Sequence, residues 1–487
     1  MRMSLKEINQ HILEKESKTN NLYRLKYHMS PRVGWMNDPN GLVFYDGQYH
    51  LYYQANPYRT RPGQMMWGHF VSTDLVSFKD LGIALALETL GENAYSGGAI
   101  VDNNKINIFY TLHTEKHPQE VRYDGEIVGG IEILTEKENE KRKTMPHPIE
   151  GLDVKVEEVY HSVSDGNSFD KGELVFDNES LPKNISRADF RDPCPVKIKD
   201  TYYIFVGGKD LNTNKGVIIV LKSKNLHRFE YAFLLGPYYE LGDMAECPCY
   251  FKVDNKDVII VSGSNTVRRD NDFKNINCSI FIVGDLDFEK GTMKVDFIKE
   301  IDKGPSFYAP QFIREINRPI MVGWLEMWGK KYPTSIFKHG YVGAFSFPRL
   351  VYIKDNDIYQ WPVETLDKYE KEVEGDIVPR SSDISLTLEK GSSLILKGGN
   401  GSLFIGNDER GVYLDNRNGN SMYEAVRHTN NQYESASIRI LLDTSSIEIF
   451  VEQGKEVISD RFYIDGKWTI ETNGVVKDIK VKEIGDK

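Results

Sequence analysis

The sequence predicts an all-β protein, built as a five-bladed β-propeller followed by a C-terminal β-sandwich. Five segments each combine a polar entrance with two short β-branched or aromatic runs around a tight turn, as paired strands do. A second motif, which reads Ser, then Asp or Asn, then Phe, alternates with these segments and introduces further apolar runs. After about residue 375 the chain shows only alternating strands with turns about every ten residues, which is typical of a sandwich.

The N-terminal extension, residues 1–25, is predicted to be helical because Leu5, Ile8 and Ile12 recur at helical spacing. It lacks the continuous apolar core of a secretory signal, and no run elsewhere is long enough to span a bilayer. We therefore expect a cytoplasmic protein with no membrane partner.

The composition bounds the kind of protein and its partners. With 487 residues, of which 40% are hydrophobic, the chain can bury a large core and form two domains. Its net charge of -11 provides no basic field for nucleic acid, so a neutral substrate is favoured. Four cysteines are too few for a disulfide scaffold and lack the spacing of a zinc site, so we expect free thiols and no metal or other cofactor.

The propeller is predicted to span residues 26–358. Its repeating unit is two strands, a link and two more strands, which recurs about every 50 to 60 residues apart from one longer gap. Four antiparallel strands per repeat are what a propeller blade requires, so five entrances predict five blades. The entrances begin at Asn37, Tyr95, Phe190, Ala245 and Phe307.

The longer gap lies within the second blade, at about residues 113–157. We interpret it as a surface loop or flap, with a partner-binding element as the alternative. After the fifth blade, residues 359–374 are predicted to form a linker helix, because apolar residues recur at helical spacing after Trp361 and Pro362. The β-sandwich domain then takes residues 375–487.

The innermost strand of each propeller blade begins beside the central channel, so the five entrances should meet at one pocket. Three of them carry a carboxylate that the pattern places at equivalent positions, namely Asp38, Asp192 and Glu246. In WMNDPNG, which precedes the apolar run LVFY, Asp38 lies in what reads as a turn at the mouth of a strand.

Such a group of carboxylates suits glycoside cleavage. One carboxylate acts as nucleophile or base, another protonates the leaving oxygen, and a third can bind sugar hydroxyls. Packing like charges together raises the pKa of one member, which keeps one acid protonated near neutral pH.

Seven motifs occur in the order WMNDPNG, YQANP, WGH, YSGGA, FRDP, ECP and FYAPQ. In this order they resemble glycoside hydrolase family 32, which comprises invertases, sucrose-6-phosphate hydrolases and fructanases. The later GAFSFPR, PVETL and SSIEIFVEQG extend the resemblance over nearly the whole chain. The family's architecture, a five-bladed propeller plus a C-terminal sandwich, agrees with the one predicted from the repeats.

The resemblance implies a role for each carboxylate. Asp38 would be the nucleophile that attacks the anomeric carbon of a terminal fructosyl unit. Glu246 would be the acid and base that acts first on the leaving oxygen and then on water, so that the β-configuration is retained. Asp192 would bind the fructose hydroxyls, and the neighbouring Arg191 would keep it ionised. The fructose subsite would be lined by Asn37, Gln54, Trp67, Tyr95, Ser96, Arg191 and Trp324.

The activity that this implies is that of a retaining β-fructofuranosidase, which hydrolyses the fructosyl bond of sucrose, sucrose 6-phosphate or short fructo-oligosaccharides by double displacement. A fructosyltransferase or an exo-fructanase of the inulin or levan type is the alternative on the same fold. A sugar-binding propeller without catalysis is disfavoured, since all three carboxylates are present. The expected partner is a small carbohydrate with a terminal β-fructosyl unit, and both a monomer and a homodimer stay open.

The loop after YQANP departs from the family pattern. The family usually continues with a glycine and an aromatic residue, whereas this chain continues with Tyr58, Arg59, Thr60 and Arg61. One hypothesis is that Arg59 and Arg61 bind a phosphate on the substrate, because arginine binds phosphate in a bidentate manner. The alternative is a solvated basic loop.

Overall fold

The computed structural model describes residues 3–89, 91–115, 155–373 and 377–485. Within these residues the strands form seven sheets, and the one helix longer than two turns is α1, Leu5–Glu16. The predicted all-β class, with a propeller followed by a sandwich, is confirmed.

Each of the first four blades is made of four consecutive antiparallel strands. Blade 1 contains β1 (Gly34–Tyr45), β2 (Gln48–Asn56), β3 (Met66–Ser72) and β4 (Lys79–Leu85). Blade 2 contains β5 (Glu92–Asp102), β6 (Lys105–Glu115), β7 (Lys155–Ser164) and β8 (Glu173–Phe176). Blade 3 contains β9 (Ile185–Ile198), β10 (Thr201–Asp210), β11 (Lys215–Ser223) and β12 (Glu230–Leu235). Blade 4 contains β13 (Met244–Val253), β14 (Lys256–Ser264), β15 (Cys278–Asp287) and β16 (Thr292–Glu300).

The fifth blade also closes the ring. Its sheet contains β17 (Tyr308–Phe312), β18 (Ile320–Trp324), β20 (Arg349–Lys354) and β21 (Asp357–Pro362). Between β18 and β20 the chain forms the short helix α2 (Pro333–Ile336) and then β19 (Tyr341–Val342). β19 pairs in parallel with β1 of the first blade, so the end of the propeller sequence joins its beginning.

The N-terminal helix packs on the first blade. α1 begins with a capping box in which Ser4 and Glu7 satisfy each other's backbone N–H groups. Ile8 and Ile12 are buried, and the Asn9 side chain bonds the backbone of Ile83 in β4. The predicted insertion at 113–157 is bounded by the end of β6 and the start of β7, and most of it lies outside the described residues.

The predicted linker helix over 359–374 is wrong in most of its length. β21 takes the first residues, β22 (Glu370–Glu372) takes later ones, and only Glu364–Tyr369 is helical, as a 3-10 helix. Leu366 and Tyr369 are both buried three residues apart, which the 3-10 period allows in a single short turn. The apolar spacing thus reflects one tight turn between two strands.

The sandwich consists of two six-stranded sheets. One sheet has the order β22, β33, β24, β29, β30, β31, and the other has the order β23, β32, β25, β26, β27, β28. The further strands are β23 (Ile377–Val378), β24 (Ser382–Glu389), β25 (Ser392–Lys397), β26 (Ser402–Asp408), β27 (Gly411–Asp415), β28 (Val426–His428), β29 (Ser435–Asp443), β30 (Ser446–Val451), β31 (Glu456–Arg461), β32 (Trp468–Asn473) and β33 (Val476–Ile484). Leucine and isoleucine side chains from both sheets, such as Ile384 and Leu394, fill the space between them.

A group of fully buried charged side chains joins the propeller to the sandwich, and we call it the interface cluster. Its members are His28, Asp302, Arg349, Asp443 and Glu448. Arg349 donates to Asp302 at 2.9 Å and to Glu448. His28 contacts Asp443 at 3.0 Å and Glu448 at 2.7 Å. Each charge in this cluster therefore has an opposite partner in place.

Candidate active site

A cavity of about 500 Å³ opens where the innermost strands of the blades meet. Asp38 of β1, Asp192 of β9 and Glu246 of β13 all line it, although they come from three different blades. Eight of the ten predicted site residues lie in its wall, namely Asn37, Asp38, Gln54, Tyr95, Ser96, Arg191, Asp192 and Glu246.

Irregularities in the inner strands aim these side chains. In the β13–β14 ladder Glu246 pairs with Ser262 and Cys249 with Ile260, so two residues of β13 oppose one of β14. Such a bulge bends the strand and redirects a side chain. The WMNDPNG stretch follows the same principle, because it lies inside β1 with shifts of register and does not form the turn predicted before a strand.

The ladders also correct the predicted equivalence of the three carboxylates. Arg191 pairs with Gly207 and Glu246 pairs with Ser262, so these two residues hold matching positions. Asp192 matches Cys247, and both have left-handed backbone, with φ of 68° and 50°. Glu246 thus projects from one position earlier than Asp192, although the prediction treated the two residues as equivalent.

Asp38 is held by one of its two oxygens. Oδ2 accepts a hydrogen bond from the Ser96 hydroxyl at 2.8 Å, and Cys247 Sγ lies 3.6 Å away. Oδ1 is buried without a hydrogen-bond partner among the described residues. Burial raises the pKa of Asp38 to about 6, Glu246 adds to this, and the bonds from Ser96 and Asn37 oppose it.

Asp192 is fixed by hydrogen bonds to two neighbouring blades. Its Oδ2 accepts from the Cys247 N–H at 2.9 Å, and its own N–H donates to Thr111 Oγ1 at 2.9 Å. Burial raises the pKa of Asp192 to about 7, although Arg191 acts in the opposite direction. Arg191 favours the ionised form of this aspartate, as expected, but burial and the nearby Glu246 and Asp38 outweigh it, so the pKa is raised overall.

Glu246 has a partner for each oxygen. Arg191 Nη2 donates to Oε1 at 2.6 Å, and the Tyr308 hydroxyl donates to Oε2. Behind Arg191 lies Glu157, which is buried, lines the cavity and contacts the guanidinium at 3.6 Å and His113 at 3.2 Å. Sequence reasoning missed Tyr308 and Glu157. Tyr308 had a signal in FYAPQ, the fifth entrance, whereas Glu157 follows the long gap and had none.

Two predicted subsite residues lie elsewhere. Trp67 and Trp324 are fully buried and do not line the cavity. The Trp67 indole donates to the Tyr95 carbonyl at 3.1 Å, and Trp324 packs against Trp328 at 4.9 Å between ring centroids. Trp328 itself lines the cavity, so the tryptophan wall is displaced four residues along the chain.

The polar side chains around Asp38 form a short chain of hydrogen bonds. Gln54 Nε2 donates to Ser96 Oγ at 3.1 Å, and Ser96 in turn donates to Asp38. Asn37 Oδ1 accepts from the Trp35 indole at 2.7 Å, which fixes the amide beside the carboxylate. These contacts orient the groups before any ligand binds.

The outer side of the cavity differs from the prediction. Pro62 lines it, whereas Arg59 and Arg61 do not. The one lysine in the described wall is Lys209, at the end of β10.

All four cysteines are buried free thiols, as the sequence predicts. Cys247 Sγ lies 3.5 Å from Asp192 Oδ2, between the two aspartates. No helix within the described ranges is long and apolar enough to cross a membrane.

The chain matches two models of one family. The glycosyl hydrolases family 32 N-terminal domain matches residues 28–126 and 151–362, and the family 32 C-terminal model matches residues 370–483. A sucrose-6-phosphate hydrolase of Vibrio alginolyticus is 29% identical over 473 residues, which cover 90% of this chain and 86% of that protein.

Solved structures have the same architecture. A variant of a GH32 beta-fructofuranosidase of Bombyx mori, in complex with sucrose, is 26% identical to this chain and superposes with a TM-score of 0.81. The match covers 99% of this chain and 98% of the Bombyx mori chain. A sucrose-6-phosphate hydrolase of Lactobacillus gasseri shares the fold with a TM-score of 0.81 at 23% identity. The match covers 99% of each of the two chains. The ordered motifs, the five-bladed ring and the two family models agree, and the chain therefore belongs to glycosyl hydrolase family 32 and is a glycoside hydrolase.

Proposed function

We propose that this chain is a retaining β-fructofuranosidase that hydrolyses the fructosyl bond of sucrose, sucrose 6-phosphate or short fructo-oligosaccharides. The observation that carries the proposal is the meeting of Asp38, Asp192 and Glu246 in one cavity. The similar sucrose-6-phosphate hydrolase and the similar beta-fructofuranosidase with bound sucrose support a substrate of the sucrose type.

Asp38 performs the first displacement. Ser96 orients its Oδ2, so Oδ1, which has no partner among the described residues, is available for attack. The new bond joins a carboxylate oxygen to the anomeric carbon, and the bond from that carbon to the leaving oxygen breaks. Glu246 gives its proton to the leaving oxygen.

Water performs the second displacement. Glu246, now ionised, removes a proton from water, which attacks the anomeric carbon and releases the Asp38 carboxylate. Arg191 and Tyr308 hold Glu246 in place through both steps. Asp192, oriented by the Cys247 N–H, accepts hydrogen bonds from fructose hydroxyls, and these strengthen as positive charge develops on the ring.

The cluster keeps the proton that this chemistry needs. The pKa values of about 6 for Asp38 and about 7 for Asp192 support a cavity that retains a proton close to neutral pH. In such a coupled group the retained proton belongs to the group as a whole. In the proposed mechanism Glu246 carries the proton that is transferred to the leaving oxygen.

Lys209 supports an anionic leaving group. It is half-buried in the cavity wall, and no described residue pairs with it. The phosphate of sucrose 6-phosphate would supply the missing charge, and a lysine ammonium binds phosphate as a point charge. We therefore move the proposed phosphate contact from Arg59 and Arg61 to Lys209.

Product analysis tests this function. The enzyme is incubated with sucrose, sucrose 6-phosphate, kestose, inulin and levan, and released fructose is compared with the other product. Equal amounts indicate hydrolysis, and a deficit of fructose indicates the fructosyltransferase alternative. Preference for inulin or levan indicates the exo-fructanase alternative.

Two variants connect the activity to the site. Asp38→Asn should lower turnover at least about 10⁴-fold with the fold retained, because it removes the nucleophile. Lys209→Ala should raise KM for sucrose 6-phosphate more than for sucrose, with Arg59→Ala as the matched control. Unchanged turnover in Asp38→Asn contradicts the mechanism, and equal effects on both substrates contradict the phosphate contact.

The cytoplasmic location and the homodimer stay predictions.

A further inference from the structure

Three side chains with metal-binding atoms meet on the outer part of the propeller, where blade 2 adjoins blade 3. His161 lies on β7, Glu173 on β8 and His227 in the turn between β11 and β12. One ligand atom from each lies within 4.8 Å of the other two. His161 and Glu173 are direct partners in the β7–β8 ladder, and the Phe229 N–H bonds the Val175 carbonyl at 3.0 Å across the blades. The backbone therefore fixes all three positions.

The tautomer of His161 leaves a lone pair directed at this group. The Asn107 amide nitrogen donates to the carbonyls of Asp102 and Lys105, so its oxygen faces the imidazole. His161 Nε2 lies 2.9 Å from that oxygen and must donate its hydrogen there. Nδ1 of the neutral ring then carries no hydrogen.

Within the described ranges, no hydrogen-bond donor faces that lone pair. The neighbour of His161 Nδ1 in the group is Glu173 Oε1 at 3.8 Å, which is too long for a hydrogen bond and is itself an acceptor. A lone pair and a carboxylate that face each other are the arrangement that a cation stabilises.

The surroundings match those of metal ligands. A ligating histidine usually donates its second N–H to a carbonyl or carboxylate, as His161 does to Asn107. The Phe109 ring stacks on the imidazole at 4.7 Å between centroids and 15°, which restricts its rotation. His227 Nδ1 lies 2.5 Å from Glu173 Oε1, so the third ligand is already beside the second.

We propose that His161, Glu173 and His227 form a binding site for a divalent transition-metal ion of the zinc type, which ties blade 2 to blade 3. Two imidazoles and one carboxylate suit Zn²⁺, Ni²⁺ or Cu²⁺, whereas Ca²⁺ and Mg²⁺ prefer oxygen ligands alone. Ligand atoms around a tetrahedral Zn²⁺ are about 3.4 Å apart. The spacings of 3.8 and 2.5 Å lie on either side of this value, and the exposed Glu173 and His227 side chains can adjust. Water completes the coordination.

The proposed metal site is separate from the catalytic cavity. None of the three residues lines the catalytic cavity. The metal would join two neighbouring blades that the ring otherwise holds by packing and hydrogen bonds. The inference does not depend on the proposed fructosidase activity.

Metal titration of the full-length enzyme tests the site. The protein is treated with a chelator, dialysed, and titrated with Zn²⁺ and with Co²⁺ in a calorimeter and a spectrophotometer. We expect one ion per chain and a Co²⁺ absorption typical of nitrogen and oxygen ligands. His227→Ala and Glu173→Gln alter exposed side chains that should not affect folding, and each should weaken Zn²⁺ affinity more than about 100-fold. Glu230→Gln, an exposed carboxylate nearby, should not change it.

Thermal unfolding gives a second readout. Saturating Zn²⁺ should raise the Tm of the parent enzyme and of Glu230→Gln, and should leave the Tm of His227→Ala unchanged. Sucrose turnover of the metal-free parent should equal that of the metal-free His227→Ala. Absence of binding to the parent, or equal binding by the parent and His227→Ala, overturns the inference.

Discussion

The catalytic cavity and the interface cluster both bury several carboxylates, and they treat them in opposite ways. At the interface, burial alone would raise the pKa of Glu448, but Arg349 and His28 lower it below its ordinary value. The pKa of Asp443 is lowered likewise, by His28 and backbone N–H groups acting against burial. In the cavity the pKa values of Asp38 and Asp192 rise to about 6 and about 7.

The difference shows that burial does not decide the charge state by itself. Asp302 illustrates this within the interface, because it shares Arg349 with Glu448 and its pKa is raised. One guanidinium does not fully compensate two buried carboxylates. The cavity has still fewer cations per carboxylate, since Arg191 bonds Glu246 while two aspartates lie close by. A shortage of cations thus leaves the cavity with protons that titrate near neutral pH.

Removing the cation from the interface should have the largest effect on stability. Arg349→Met leaves Asp302 buried without its cation and Glu448 with His28 alone, which should cost about 3 to 5 kcal/mol of unfolding free energy. Denaturant unfolding measures the loss. Arg187→Met removes an exposed ion pair with Glu179 and should cost less than about 1 kcal/mol. Similar losses in the two variants would show that the interface pairing is not special.

Removing a charge from the cavity should stabilise the folded protein, whereas removing Arg349 from the interface should destabilise it. The pKa of Asp38 is about 6 in the folded protein against 3.8 ordinarily, so its ionised form destabilises the fold above pH 6. Asp38→Asn should therefore be more stable than the parent at pH 8 by about 1 to 3 kcal/mol.

The pH dependence of that gain provides the check. The gain should shrink as pH falls through about 6, because the parent's Asp38 then becomes protonated and neutral. The Tm values of both proteins at pH 8 and near pH 4 measure it, with the exposed Asp200→Asn as control. Equal Tm values of parent and Asp38→Asn at pH 8 would contradict the raised pKa.

The smallest expected effect concerns the acid limb of the pH–rate profile. Activity should fall as pH decreases below about 6, because attack requires the ionised Asp38. The Ser96 hydroxyl stabilises that ionised form, so Ser96→Ala should move the acid limb of kcat/KM upward by about one pH unit. Ser96→Thr keeps the hydroxyl and should retain the parent's profile. An unmoved limb in Ser96→Ala would assign it to another group.

The repeats predicted the fold well because each blade repeats one local design. Polar entrances, tight turns and apolar runs are local features, and five of them suffice to count blades. The prediction of the linker helix failed because it also rested on a local feature. The spacing of Leu366 and Tyr369 cannot distinguish an α-helix from one 3-10 turn.

The cavity was predicted less completely, because its details depend on bulges. The motifs located Asp38, Asp192 and Glu246, but the register that places Glu246 beside Arg191 is a property of the paired strands. Which tryptophan faces the cavity depends on chain direction after β18, which local patterns do not encode. Glu157 lies beyond the long insertion, where no motif marked it.

The parallel pairing of β19 with β1 has a consequence for synthesis on the ribosome. Gly34 and Trp35 find their partners Tyr341 and Val342 only after nearly the entire propeller sequence has been translated, yet they lie in the same strand as Asp38, a few residues before it. A nascent polypeptide that ends before Tyr341 therefore holds its nucleophile on an edge strand that is paired with β2 alone. Hydrolytic competence should appear abruptly late in elongation, and premature termination products should be inert.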